Sequence, residues 1–193
     1  QLSGHGHAGT GQRCVTLHGG LKTGLARTAA HSKGGGSASV LQNMTGTTPS
    51  AWNDPTKGAE LARSQFDRGA DVVYAAAGGT GIGVYQAAKD AGKLAIGVDS
   101  NQNHIQPGTM LTSMLKRVDV AAYAAFKGAK DGTWKAGIQV LGLAENGVGW
   151  ALDDNNAKLV SADMKAAVEK ATQEIVSGKV VVHDYMADSK CPY

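Results

Sequence analysis

Four short stretches carry side chains with which this sequence could hold a small polar molecule. Ala51-Trp52-Asn53-Asp54-Pro55 places an indole beside polar and proline residues. Ala77-Gly78-Gly79-Thr80-Gly81 offers bare backbone N–H groups. Val98-Asp99-Ser100-Asn101-Gln102 offers a carboxylate followed by polar side chains, and Leu115-Lys116 adds an ammonium. An indole stacks on a flat ring, a carboxylate accepts from N–H or O–H groups, and an ammonium donates. Glycine lets backbone come close to a ligand. Together they equip a site for a polar ring compound, with or without hydroxyls.

Each stretch also has a plainer reading. Asp99 fits a turn cap, because Asp and Asn bond their own backbone in such loops. Lys116 fits a solvated surface charge, and Trp52 could pack on its own loop. Gly78-Gly79-Thr80-Gly81-Ile82-Gly83 invites a dinucleotide fingerprint. Counted from Gly79, however, the third glycine position holds Val84. Asp99 lies 20 residues beyond Gly79, where a ribose-binding acid belongs in that motif. A dinucleotide-binding enzyme therefore stays as the alternative, beside a tight strand-to-helix turn. Other catalytic patterns are missing: there is no G-x-S-x-G and no H-E-x-x-H. Asp153 and Asp154 are adjacent, point apart, and read as a solvated turn with Asn155 and Asn156. His5, His7, His18 and His31 have no acidic or cysteine partner to complete a metal site. Cys14 and Cys191 show no metal spacing and read as incidental thiols.

The elements that must position these groups follow from the apolar pattern. Residues 40–44, 71–76, 94–98, 110–114, 138–143 and 180–182 are strand candidates. Asp54 and Pro55 start a helix that Gly69 ends, with Ala59, Ala62 and Phe66 on one face. Further helices are expected over 82–91, over 118–130 and over 161–177. The third of these four carries Val118, Ala122, Ala125 and Ala129 on one face, and the last Met164, Val168, Ala171 and Ile175. Strands alternating with helices imply βαβ units and a mainly parallel sheet flanked by helices. Ligands in such sheets bind outside the carboxyl ends of the strands, which puts all four stretches on one rim.

Residues 1–36 differ in texture. They hold ten of the 27 glycines and four of the six histidines, and the first carboxylate of the chain is Asp54. They read as an irregular Gly/His-rich arm, with a weak helix near 20–31, ahead of an α/β lobe over 37–193. A net charge of +3 is too small to point to nucleic acid, and no apolar run approaches a membrane span.

Residues 40–149 resemble the C-terminal lobe of the basic-membrane-protein (BMP) family of substrate-binding proteins for ABC transporters. The carrying segments are Ala51-Trp52-Asn53-Asp54-Pro55-Thr56-Lys57-Gly58, Gly69-Ala70-Asp71-Val72-Val73, Ala76-Ala77-Gly78-Gly79-Thr80-Gly81, Ala95-Ile96-Gly97-Val98-Asp99-Ser100, Leu111-Thr112-Ser113-Met114-Leu115-Lys116-Arg117-Val118-Asp119 and Glu145-Asn146-Gly147-Val148-Gly149. The resemblance implies a periplasmic-binding-protein-like lobe, a purine ligand, permease and ATPase partners, a periplasmic location, no cofactor and no enzymatic activity. It implies Trp52 as one plate of an aromatic clamp, with Asp99 and Lys116 meeting a ribose. Gln102 and Asn103 after the aspartate resemble members that take the free base, adenine above all. Trp52, Asp54, Gly78, Gly79, Thr80, Asp99, Gln102, Asn103 and Lys116 are thus the expected ligand-binding residues. The family's N-terminal lobe has no counterpart here, which leads to the expectation of a truncated member, weakened in binding or a non-functional remnant.

Overall fold

The computed structural model describes Leu41 and residues 43–182. The arm over 1–36, its helix near 20–31, its four histidines, Cys14 and Cys191 lie outside the described residues. The chain forms two compact units, one holding residues 43–161 and the other holding residues 162–182.

In the first unit, helix α1 spans Pro55–Asp67. Asp54 Oδ1 accepts the Lys57 N–H at 2.9 Å, and Pro55, with no N–H to leave unsatisfied, opens the helix. Gly58, Ala62 and Phe66 make its buried stripe. Gly69, at φ 94°, turns the chain out of it. Strand β1, Val72–Tyr74, leads through the 3₁₀ turn Gly78–Thr80 into α2, Gly81–Asp90. Strands β2, Leu94–Gly97, and β3, Met110–Lys116, follow. Helix α3, Val118–Asp131, ends at Gly132 with φ 70°. Strand β4, Val148–Trp150, completes a four-stranded sheet of order β1-β2-β3-β4.

The first three strands are parallel: Val72 pairs with Leu94, Tyr74 with Ile96, and Ile96 with Thr112. Only β4 runs antiparallel, with Trp150 opposite Met114. The mainly parallel α/β architecture expected from the sequence is the one observed. Helices α1 and α2 pack on each other, and α2 packs on β1 and β2. The core between them is built of small and medium residues: Ala62, Phe66, Val73, Ala75, Val84, Tyr85, Ala87, Ala88, Ala95 and Met110. Small residues allow backbone to meet backbone. A Cβ at Gly83 would stand 1.8 Å from the Pro55 carbonyl oxygen, and one at Gly58 2.4 Å from that of Thr80.

Two expected strands do not form among the described residues, and the one over 40–44 lies partly outside them. Residues 138–143 have no strand pairing, and the edge of β3 is taken by other segments. β4 pairs with Met114–Lys116, Ala151 N–H donates to the Ser113 carbonyl at 2.9 Å, and Asn156 Nδ2 donates to that of Leu111 at 2.9 Å. Ile138 is left 80% exposed. Within 40–44, Asn43 Oδ1 accepts from Gln65 at 2.9 Å and Arg68 at 3.1 Å. Val180-Val181-Val182 has β-branched residues but no paired neighbour, and propensity without pairing makes no strand.

In the second unit, α4 spans Ala162–Val176, matching the expected helix closely. Gly178, at φ 75°, follows it. Lys179 Nζ bonds Glu174 Oε1 at 3.0 Å, across the turn that ends the helix.

Candidate functional site

The parallel order of β1, β2 and β3 sets their carboxyl ends side by side. With strands about 4.8 Å apart, the three ends span roughly 10 Å. Trp52 reaches this rim from a short turn. It ends the 3₁₀ turn Pro49–Trp52, and its ring leans on the turn that follows β1. A Cβ added at Gly78 would lie 3.5 Å from Trp52 Cε3 and 3.1 Å from its carbonyl oxygen. Gly78 also sits at φ 55°, a conformation that a side chain resists. A Cβ at Gly79 would meet Asn53 Oδ1 at 3.0 Å. These two glycines therefore accommodate the Trp52 loop. Trp52 remains 38% exposed.

Thr80 joins the two turns. Its hydroxyl, fully buried, accepts the Asp54 N–H at 2.7 Å and donates to the Ala51 carbonyl at 2.7 Å. The Asp54 carboxylate serves as the cap of α1. Of the first two stretches, Trp52, Asn53 and Asp54 are exposed, and Gly78, Gly79 and Thr80 seat the Trp52 loop.

Asp99 follows β2 at φ 69°, one of only two non-glycine residues with positive φ among the described residues. Ser100 N–H donates to the Val98 carbonyl across it at 2.9 Å. Lys116, at the end of β3, approaches twice. Its backbone N–H donates to the Asp99 carbonyl at 2.8 Å, and its Nζ lies 2.9 Å from Asp99 Oδ1. Both side chains stay near half exposed, at 42% for Lys116 and 48% for Asp99. Such a pair adds little stability. It does present an acceptor and a donor together to solvent.

Gln102 and Asn103 turn inward. Gln102 Oε1 accepts from the Tyr85 hydroxyl at 2.6 Å and from Val98 N–H at 3.0 Å. Its own N–H donates to Ser113 Oγ at 3.0 Å. Ser113 Oγ donates in turn to Oδ1 of the fully buried Asn103 at 2.8 Å. Asn103 Nδ2 and Asn101 Nδ2 both donate to Asp153 Oδ2, at 3.2 Å and 2.6 Å. The bond from Asn101 is the main reason the Asp153 carboxyl titrates below its usual range. Burial pushes the Tyr85 phenol up to about 12, and the negative charge of Asp99 adds to the effect. The Tyr74 phenol is raised further, again by burial first and then by Asp99.

Sequence reasoning missed Tyr85, Ser113, Asp153 and Asn156. Asn156 is not part of a solvated turn: it is fully buried, and its Nδ2 donates to the Leu111 and Ala151 carbonyls. A serine inside the apolar run Met110–Met114 was the available signal, since a buried hydroxyl needs a partner. Among the described residues no group of three or more His, Cys, Asp or Glu could hold a metal. No described helix is long and apolar enough to cross a membrane.

Known proteins resemble this chain in sequence and in fold. An uncharacterized lipoprotein of Pyrococcus abyssi is 44% identical over 128 residues, 63% of this chain and 31% of that protein. An ABC transporter nucleoside-binding protein of Lactococcus lactis subsp. cremoris is 31% identical over 150 residues, 68% of this chain and 41% of that one. The chain thus spans well under half the length of these relatives. Among solved structures, an ABC transporter solute-binding protein of Aeropyrum pernix superimposes with a TM-score of 0.58 at 31% identity, over 70% of this chain and 47% of that one. A solute-binding protein of Conexibacter woesei gives 0.68 at 23% identity, over 88% and 53%, and supports the fold alone. The lobe is thus periplasmic-binding-protein-like. The family model of PnrA-like ABC transporter substrate-binding proteins matches residues 44–185. That match takes in most of the chain and every candidate site residue, so the protein belongs to the Bmp family of substrate-binding proteins, whose members bind solutes and are not enzymes.

Proposed function

We propose that this chain binds a purine, as a free base such as adenine or as a nucleoside, in the manner of the solute-binding component of an ABC uptake transporter. The observation that carries the reading is the rim. A partly exposed indole seated on the Gly78 turn lies along the same sheet edge as the Asp99–Lys116 pair. In this reading Trp52 stacks on the base. Asp99 accepts from ring N–H groups or ribose hydroxyls, and Lys116 donates. Gln102, its Oε1 already committed to two donors, has only its amide NH₂ to offer. Asp54, Gly78, Gly79, Thr80 and Asn103 shape the site from behind. The nucleoside-binding relative favours this ligand class. A permease and an ATPase subunit are the proposed partners, with the protein on the periplasmic side.

Stacking on an aromatic contributes roughly 1–3 kcal/mol per base, whereas micromolar affinity needs about 8. The Trp52 plate therefore accounts for only part of a micromolar affinity. Calorimetry with adenine, guanine and adenosine tests the reading. The expected result is weak binding that Trp52→Ala lowers about 5- to 150-fold. Absence of binding by all three ligands, or an affinity untouched by Trp52→Ala, would sink it.

A further inference from the structure

We propose that Tyr85 is a positioning residue for Asp99, acting through Gln102. This rests on reading the rim as the solute site. The Ser100-to-Val98 hydrogen bond across Asp99, together with φ 69° at Asp99, makes a γ-turn of the positive-φ hand. That hand is rare and strained. Strain of this kind persists only where the surroundings over-determine it. Lys116 holds Asp99 from β3 through its backbone N–H and its Nζ, and one amide oxygen holds the entry to the turn. Gln102 Oε1 grips Val98 N–H, at the start of the turn, and is itself held by the Tyr85 hydroxyl at 2.6 Å. From the other side, Gln102 N–H is fixed by Ser113 Oγ, a group that also holds Asn103.

The surroundings are cut to fit this bond. A Cβ at Gly81 would come within 2.8 Å of the Tyr85 hydroxyl, and one at Gly97 within 3.0 Å of Gln102 Oε1. Both positions are bare, so the phenol and the amide can meet. Tyr85 itself is fully buried in the core of α2, which gives the clamp a rigid base. The side chain it directs is the half-exposed carboxylate that pairs with Lys116. A fully buried phenol thereby sets where the acceptor of the site stands.

The test uses Tyr85→Phe in the full chain, which removes one hydroxyl and keeps the ring. Amide hydrogen exchange is followed by NMR without ligand at Ser100 and, as a control, at Ala88 in α2. Loss of one buried hydrogen bond should speed Ser100 exchange about tenfold more than Ala88 exchange. In an Asp99→Gly background the turn carries no strain, and Tyr85→Phe should then change Ser100 exchange by less than about twofold. Equal acceleration at Ser100 and Ala88 would show a merely structural role and overturn the proposal. So would the same acceleration of Ser100 in both backgrounds. Because ligand is absent, this outcome is decided even where calorimetry finds no purine binding.

Discussion

At the scale of single residues, one hydroxyl secures the aromatic side of the rim. Thr80 Oγ1 holds Asp54 N–H and the Ala51 carbonyl at once, in a buried position. Thr80→Val keeps the shape and strands both partners. It should cost about 1–3 kcal/mol in urea unfolding, while Thr80→Ser recovers most of the loss. Tyr85 makes a second prediction, in pH. Its phenol titrates near 12 when folded against about 10 when unfolded. Below pH 10 both states are neutral, and the stability is fully present. Between roughly pH 10 and 12 the unfolded chain ionises first, so stability falls as pH rises. Urea midpoints across that range should decline less steeply in Tyr85→Phe. Trp52, Asp99 and Lys116 were legible as site candidates because residue type alone tells what they offer a ligand. Tyr85, Ser113 and Asp153 were not, since their importance lies in partners distant in sequence: Tyr85 bonds Gln102, and Asp153 bonds Asn103.

At the scale of elements, the four helices came close to their expected limits. The signals that start and stop them are local: Asp54-Pro55 at one end of α1 and Gly69 at the other. Strands were harder. Residues 138–143 are apolar too, yet they pair with no strand, while β4 and Asn156 take the edge of β3. A strand exists only by pairing, and a pairing site is a property of the sheet. The contact between α1 and α2 gives a test at this scale. The close approach of Gly83 to Pro55 leaves no room for a methyl group. Gly83→Ala should cost roughly 3 kcal/mol, at the upper end of overpacking, despite the higher helix propensity of alanine. A thermal midpoint unchanged or raised by Gly83→Ala would refute the packing described.

At the scale of the molecule, the first unit leaves apolar side chains outside its core. Phe126 on α3 is 78% exposed, and Ile138 beyond it 80%. Changing both to serine should leave the unfolding free energy within about 0.5 kcal/mol per site. It should also lower light scattering from concentrated solutions, because exposed apolar surface drives association. A large loss of stability would mean that these side chains are buried in solution. The sequence by itself determined the helices, the caps of the first one, the α/β class, and the chemistry that Trp52, Asp99 and Lys116 can offer. Each of these depends on residue type or on neighbours within one or two turns of chain. Tertiary structure alone decided which apolar runs found a strand to pair with. It also decided which polar side chains face outward and which, like Gln102 and Asn103, turn inward to hold the Asp99 loop. The physical reason is that a hydrogen bond or a strand edge is shared between distant segments, and neither segment carries the other's position in its own residues.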